Sequence, residues 1–125
     1  MQKLKDRIRR EGKVLPGNII KVDGFLNHRV DTRLMADMAE EFARLFDVSE
    51  ITMVLTAEAS GIALATICAA RYGVPMVFAK KAKSDNIEGG LYQSEIYSYT
   101  YKKKVTPLLS KEWLTSSDRV LIVDD

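Results

Sequence analysis

The stretch Arg119-Val120-Leu121-Ile122-Val123-Asp124-Asp125 decides the fold. Val120 to Val123 are consecutive apolar residues, mostly β-branched, and such a run predicts a short strand buried on both faces, the pattern of a parallel sheet interior. Two adjacent carboxylates follow at its C-terminal end, the edge where open α/β sheets bind ligands. Paired acids at that edge suit ribose hydroxyls or a magnesium ion. No loop residues follow Asp125. The expectation is an incomplete domain, cut after the acidic strand.

Earlier in the chain, Ile51 to Thr56 predicts a central strand, Ala57-Glu58-Ala59-Ser60-Gly61 a small-residue turn, and Ile62 to Tyr72 a helix closed by Gly73-Val74-Pro75. Met76 to Lys80 predicts a second buried strand. Strand, helix and strand at this spacing require parallel pairing with a right-handed crossover. Upstream, Asp31 or Thr32 caps a longer helix whose Leu34, Met38, Phe42 and Leu45 recur at helical spacing. A short amphipathic helix opens the chain, with Leu4 and Ile8 on one face and Lys5, Arg7, Arg9 and Arg10 on the others, stopped at Gly12. Val14-Leu15-Pro16-Gly17 reads as extended chain into a turn, Ile19 to Asp23 as a strand, and Phe25 to Val30 as extended or irregular. From Ser84 to Lys104, alternating polar and aromatic residues predict a long hairpin excursion of the kind that forms lids. Val105 to Leu109 returns as a strand, and Ser110 to Ser117 is a polar turn carrying Trp113.

The 125 residues, 46% hydrophobic, suffice for one domain with a core. A net charge of +2 gives no field argument for nucleic acid, and the runs Lys80, Lys81, Lys83 and Lys102 to Lys104 read first as solvated faces. The single cysteine, Cys68, excludes a disulfide framework and reads as a buried thiol. No stretch approaches the roughly 18 apolar residues that span a bilayer, and the N-terminus lacks an apolar signal core. The expected compartment is the cytoplasm, with no membrane and no nucleic acid as partner.

The turn at residues 57–61 points backbone N–H groups and a helix dipole at the acidic edge, an anion site, although the charge of Glu58 opposes a phosphate there. Asn27 with Ile20 and Phe25 offers a small pocket in which an amide reads the edge of a heterocycle; a turn asparagine is the plainer reading. His28, without a placed partner, is not assigned a role. The acidic pair also resembles that of receiver domains, but there the acidic strand opens the domain, whereas here it follows two earlier strands.

Taken in order, the segments from Ile8 to Gly12, Lys21 to His28, Glu58 to Ile62, Gly73 to Pro75, Phe78 to Ser84, Tyr97 to Thr100 and Val120 to Asp125 resemble the type I phosphoribosyltransferases over essentially the whole chain. The resemblance implies an α/β fold: a Rossmann-like parallel sheet with an N-terminal hood, truncated after the strand carrying the acidic pair. It implies one incomplete domain over 1–125, with a hood at about 1–36, a partial core at 37–125 and a mobile lid at about 84–104. The reaction it implies moves 5-phosphoribosyl from phosphoribosyl pyrophosphate to a purine, here xanthine, giving xanthosine monophosphate and pyrophosphate. A guanine or hypoxanthine preference, or a donor-binding regulator on the same fold, are the alternatives. Ile20 and Asn27 match base-contacting positions, and Ala59, Ser60 and Gly61 match the pyrophosphate loop. Lys81, with Lys80 or Lys83 as alternatives, matches a pyrophosphate-reaching lysine, and Asp124 and Asp125 match the acids that meet the ribose. Magnesium is implied with the donor, no catalytic residue is assigned, and a homodimer is the implied assembly. The family's loop around the 5′-phosphate lies past Asp125, so the 125-residue chain alone is expected to be inactive.

Overall fold

The computed structural model describes residues 1–81, 90–94, 96–98 and 103–125, the backbone alone for 96–98 and 103–105. In chain order the elements are α1 (Gln2–Glu11), β1 (Lys13–Leu15), β2 (Ile19–Lys21), α2 (Thr32–Leu45), β3 (Met53–Ala57), α3 (Gly61–Tyr72), β4 (Met76–Ala79), β5 (Leu91–Gln93), β6 (Ile96–Ser98), β7 (Lys103–Val105), β8 (Leu108–Ser110) and β9 (Val120–Ile122).

The centre is the expected βαβ unit. β3 lies between β4 and β9 and pairs in parallel with both, Thr56 opposite Phe78 and Leu55 opposite Ile122. α3 is apolar on most of its surface because it lies between the sheet and α2, burying Leu64, Ala65, Cys68 and Ala69. It ends where Gly73 takes the left-handed conformation that a β-carbon disfavours. α2 begins at Asp31, whose carboxylate accepts from the Leu34 amide at 3.1 Å, and buries Leu34, Met35, Met38 and Ala39. Tyr72 Oη ties the two helices by donating to the Ala39 carbonyl at 2.8 Å.

β9 departs from the expectation of burial on both faces. Coverage alternates along the strand and just past it: Leu121 is half-buried against the core cluster and Val123, the next residue after the strand, is 5% exposed, whereas Ile122 is 72% exposed. The core cluster joins α2 and α3 to a single face of the sheet, so only every second β9 residue is covered by them.

The segment before α2 also differs. Phe25 is not a pocket wall in extended chain; it is 1% exposed, inside a compact turn in which the Phe25 and Leu26 amides donate to the Val22 carbonyl. Arg7, expected on an outer face of α1, turns inward instead. Its guanidinium sits 5.3 Å above the Phe25 ring and pairs with Asp31 at 3.1 Å and Glu11 at 2.9 Å. This clamps α1 onto the start of α2. β1 and β2 form a hairpin around Pro16, Gly17 and Asn18, with positive φ at Gly17 and Asn18.

The hairpin excursion is present: β5 pairs antiparallel with β8 and β6 with β7, in one continuous register. It is rooted on the main sheet by paired 2.8 Å backbone bonds between Lys80 and Leu108. Residues 82–89, 95 and 99–102 lie outside the described residues, and with them Lys83 and much of the expected lid.

Candidate functional site

The acidic pair is positioned from both ends of β9. Where the chain enters the strand, the Asp118 carboxylate accepts from the Thr115 amide at 2.8 Å, the Thr115 hydroxyl at 3.0 Å and the Thr52 hydroxyl at 2.8 Å. The Thr52 amide donates to the Arg119 carbonyl. These bonds, the Thr115 amide first, hold the Asp118 carboxyl below its ordinary pKa. At the other end the Val123 amide donates to the Leu55 carbonyl at 2.9 Å. With the register set at entry and exit, Asp124 and Asp125 emerge at the C-terminal edge of the parallel sheet.

Asp124 is held there by Thr56, whose hydroxyl donates to Oδ1 at 3.1 Å. Thr56 is 3% exposed, so its hydroxyl needs this partner. Gly61, the first residue of α3, lies against both: a β-carbon on it would stand 2.0 Å from Asp124 Oδ1 and 2.2 Å from Thr56 Oγ1. The glycine permits close approach of the helix to the acid, and its conformation does not demand it, since its φ is not positive.

The N-terminus of α3 thus starts beside the acidic edge. The first amides of a helix have no intrahelical acceptor and sit at the positive end of its dipole. Ser60 precedes the helix without a side-chain cap bond, and Ala59 and Ser60 are exposed. The Glu58–Ala59 peptide is cis. The Glu58 carboxylate, which the sequence set against an anion, has a local partner: its Oε2 accepts from the Lys81 amide at 3.0 Å, while the Glu58 amide donates to the Ala79 carbonyl. This places the Lys81 backbone beside the turn, next to the exposed Lys80.

Asp125 meets a residue from the far end of the sequence. Asn27 Nδ2 donates to Asp125 Oδ2 at 2.9 Å, and both residues are exposed. The structure therefore brings Asn27, Gly61, Asp124 and Asp125 to one edge, with Ala59 and Ser60 flanking it. Ile20 stands apart in β2, 53% exposed and outside the core cluster. Thr56 and Asp118 escaped the sequence reading. Thr56 looked like one more strand residue; its position at the C-terminal end of a parallel strand was the available signal. The Thr115-Ser116-Ser117-Asp118 spacing was the available signal for the turn that Asp118 closes. Among the described residues, no group of three or more acidic, histidine or cysteine side chains gathers as a metal site, and no helix is long and apolar enough to cross a membrane.

No protein-family model matches the chain. The chain is 54% identical over its whole length to a xanthine phosphoribosyltransferase of Lachnoclostridium phytofermentans, of which it covers 64%. It is 50% identical to the protein of that name from Ligilactobacillus salivarius, of which it covers 65%. The chain thus spans about 65% of the length of these curated relatives. Among solved structures, the adenine phosphoribosyltransferase of Giardia lamblia complexed with 9-deazaadenine superposes with a TM-score of 0.71 at 22% identity, over 98% of this chain and 67% of that one. The adenine phosphoribosyltransferase of Saccharomyces cerevisiae also gives 0.71, at 18% identity, over 100% and 73%. At those identities the structures speak for the fold.

Proposed function

We propose that this chain belongs to the type I phosphoribosyltransferases and that the protein carrying it transfers 5-phosphoribosyl from phosphoribosyl pyrophosphate to xanthine, giving xanthosine monophosphate and pyrophosphate. The observation that supports this most directly is Asp124, held by Thr56 against Gly61 at the start of α3. An acid beside a helix N-terminus sets an acceptor for ribose hydroxyls next to amide donors for a polyphosphate.

In the proposed reaction the C1′–oxygen bond breaks with its electron pair leaving on pyrophosphate. The purine nitrogen forms the new bond to C1′, and its proton is released. Such chemistry needs positioning and charge stabilisation more than covalent help. Asp124 and Asp125 accept from the ribose hydroxyls and orient C1′. The amides of Ala59, Ser60 and Gly61 take the pyrophosphate oxygens, with Lys81, or Lys80 or Lys83, adding a cation. Glu58, bonded to the Lys81 amide, opposes that anion less than a free carboxylate would. Ile20 packs on the base and Asn27 hydrogen-bonds to its edge. The region of about 1–36 acts as the hood, and the excursion at about 84–104 as the lid that excludes water.

A magnesium ion fits this inventory as a companion of the donor. Two adjacent carboxylates without a third acidic ligand nearby are too few for a protein-only cage but suit an ion held by substrate phosphates and water. When bound, such an ion would supply positive charge against the leaving pyrophosphate. The working assembly is a cytoplasmic homodimer acting in purine salvage.

The test compares xanthine, guanine, hypoxanthine and adenine as acceptors with the protein that carries this chain, following pyrophosphate and nucleotide formation. Xanthine should have the highest kcat/KM. A clear preference for adenine, or donor binding without turnover of any base, would refute the proposal.

A further inference from the structure

We infer that Asp125 is a positioning residue for the base-reading amide: it holds Asn27 by Nδ2, and so leaves Oδ1 as the end presented to the purine. This rests on the proposed function, in which Asn27 reads the base and Asp125 meets the ribose.

An asparagine amide has a donor end and an acceptor end of nearly equal size, and on an exposed turn either end can face a ligand. An ionised carboxylate accepts only. At 2.9 Å from Asp125 Oδ2, the group on Asn27 must be the NH₂. Among the described residues no donor reaches Asn27 Oδ1. The carbonyl is therefore the free end, and it accepts from a ring N–H of the base. An NH₂ turned to the ligand would demand a lone pair instead, so holding the amide by its other end fixes which edge it reads.

The surroundings fit a device for orientation and not for stability. Both partners are exposed, and the bond joins residues that belong to separate elements, the turn before α2 and the end of β9. The turn is rigid beneath Asn27: Phe25 is buried, and backbone bonds run from Arg29 to Asp23 and from Asp31 to Phe25. Asp125 has a fixed neighbour in Asp124, itself bonded to Thr56. Asn27 itself is exposed, so packing does not set its amide torsion, and the bond to Asp125 does. Since a carboxylate offers about four acceptor sites, Asp125 can keep Asn27 while accepting a ribose hydroxyl. The base and donor subsites then share one residue, and each ligand finds the other's contact already oriented.

The experiment is a double-mutant cycle in the protein that carries this chain, using Asn27→Ala, Asp125→Ala and the pair, with KM for xanthine read at saturating donor. Each single variant should raise the xanthine KM by about fivefold, the scale of one lost exposed hydrogen bond of about 1 kcal/mol. The pair should raise it no further than Asn27→Ala alone. Asp125→Asn, whose amide oxygen can still accept from Asn27 Nδ2, should restore most of the xanthine KM while the donor KM stays raised. Effects of Asn27→Ala and Asp125→Ala that multiply in the pair would overturn the positioning role and leave the base-site assignment standing. An unchanged xanthine KM in Asn27→Ala would overturn that assignment and this inference with it. Unfolding midpoints of all variants should agree within a few degrees, because the bond is exposed.

Discussion

Replacing Gly61 by alanine sets two opposite effects against each other. On backbone grounds the change should stabilise: alanine lowers the entropy of the unfolded chain, worth about 0.4–1 kcal/mol where the native conformation allows it, and φ at 61 is not positive. The site predicts the reverse. The new β-carbon would stand 2.0 Å from Asp124 Oδ1 and 2.2 Å from Thr56 Oγ1. Ordinary contact is about 3.5 Å, so the helix or the oxygens must retreat by roughly 1.5 Å. A 3.1 Å hydrogen bond does not survive that shift. Thr56 loses its partner while buried, a cost of about 1–3 kcal/mol, and any residual crowding adds about 1 kcal/mol or more. The net expectation is a loss of about 1–3 kcal/mol, or a fall in Tm of about 4–12 °C for a chain of this size. Thermal unfolding of the 125-residue chain, with Thr56→Ala and the double variant alongside, measures it. Thr56→Ala removes one of the two clashing oxygens, so the double variant should be less destabilised than the sum of the singles. A Gly61→Ala Tm equal to or above that of the parent would refute the reasoning, because it would mean that Asp124 is not held against the helix.

Two further outcomes follow from the packing and the charges. Phe25→Ala should cost about 3–4 kcal/mol in a urea titration, since it empties a buried ring site and removes the surface on which Arg7 lies; a loss below about 1 kcal/mol would contradict its place in the core. Acid sensitivity should be traceable to Asp118 and Asp31. The Thr115 amide and the Thr52 and Thr115 hydroxyls lower the pKa of Asp118, and the Leu34 amide, aided by Arg7, lowers that of Asp31. The unfolded chain therefore takes up these protons first. The stability they contribute is present above the unfolded value of about 3.9 and is lost as pH falls through the lower folded values. The fall in Tm on acidification should accordingly be shallower in Asp118→Asn and Asp31→Asn than in the parent; slopes unchanged in both would refute the assignment.

What the sequence made legible was local. Asp31 caps α2 through a bond to a residue three positions on, and the apolar spacing of Leu34 and Met38 marks the buried face. The order of strand, helix and strand from Met53 to Ala79 was readable because only a parallel crossover accommodates it. The contacts that escaped prediction join residues distant in sequence. Arg7 is basic on a helix of basic residues; its spacing puts it beside Leu4 and four residues before Glu11, but its inward partners Phe25 and Asp31 arrive from elsewhere. The apolar run of β9 predicts burial on both faces, but coverage of a strand depends on which face the helices take.

Gly61 shows most sharply where sequence reasoning stops. A glycine after a strand and before a helix has two physical explanations, a left-handed backbone or a close neighbour, and the letters alone do not separate them. Here the neighbour is Asp124, from the last strand of the described sheet. The same pairing gives the motif at residues 57–61 a context that its own letters lack. Its acidic neighbour comes from beyond β9, Glu58 is bonded to the Lys81 amide, and the start of α3 lies against a carboxylate only because the two segments meet. Asp124 and Asp125, adjacent in sequence and alike in chemistry, are then divided by their partners. One is held by a buried hydroxyl that sets its place against the helix; the other is joined to an exposed amide that reaches from the N-terminal segment. A site whose two acids are anchored to different elements can lose one anchor without losing the other. That is why Gly61→Ala should act on stability and Asn27→Ala on recognition.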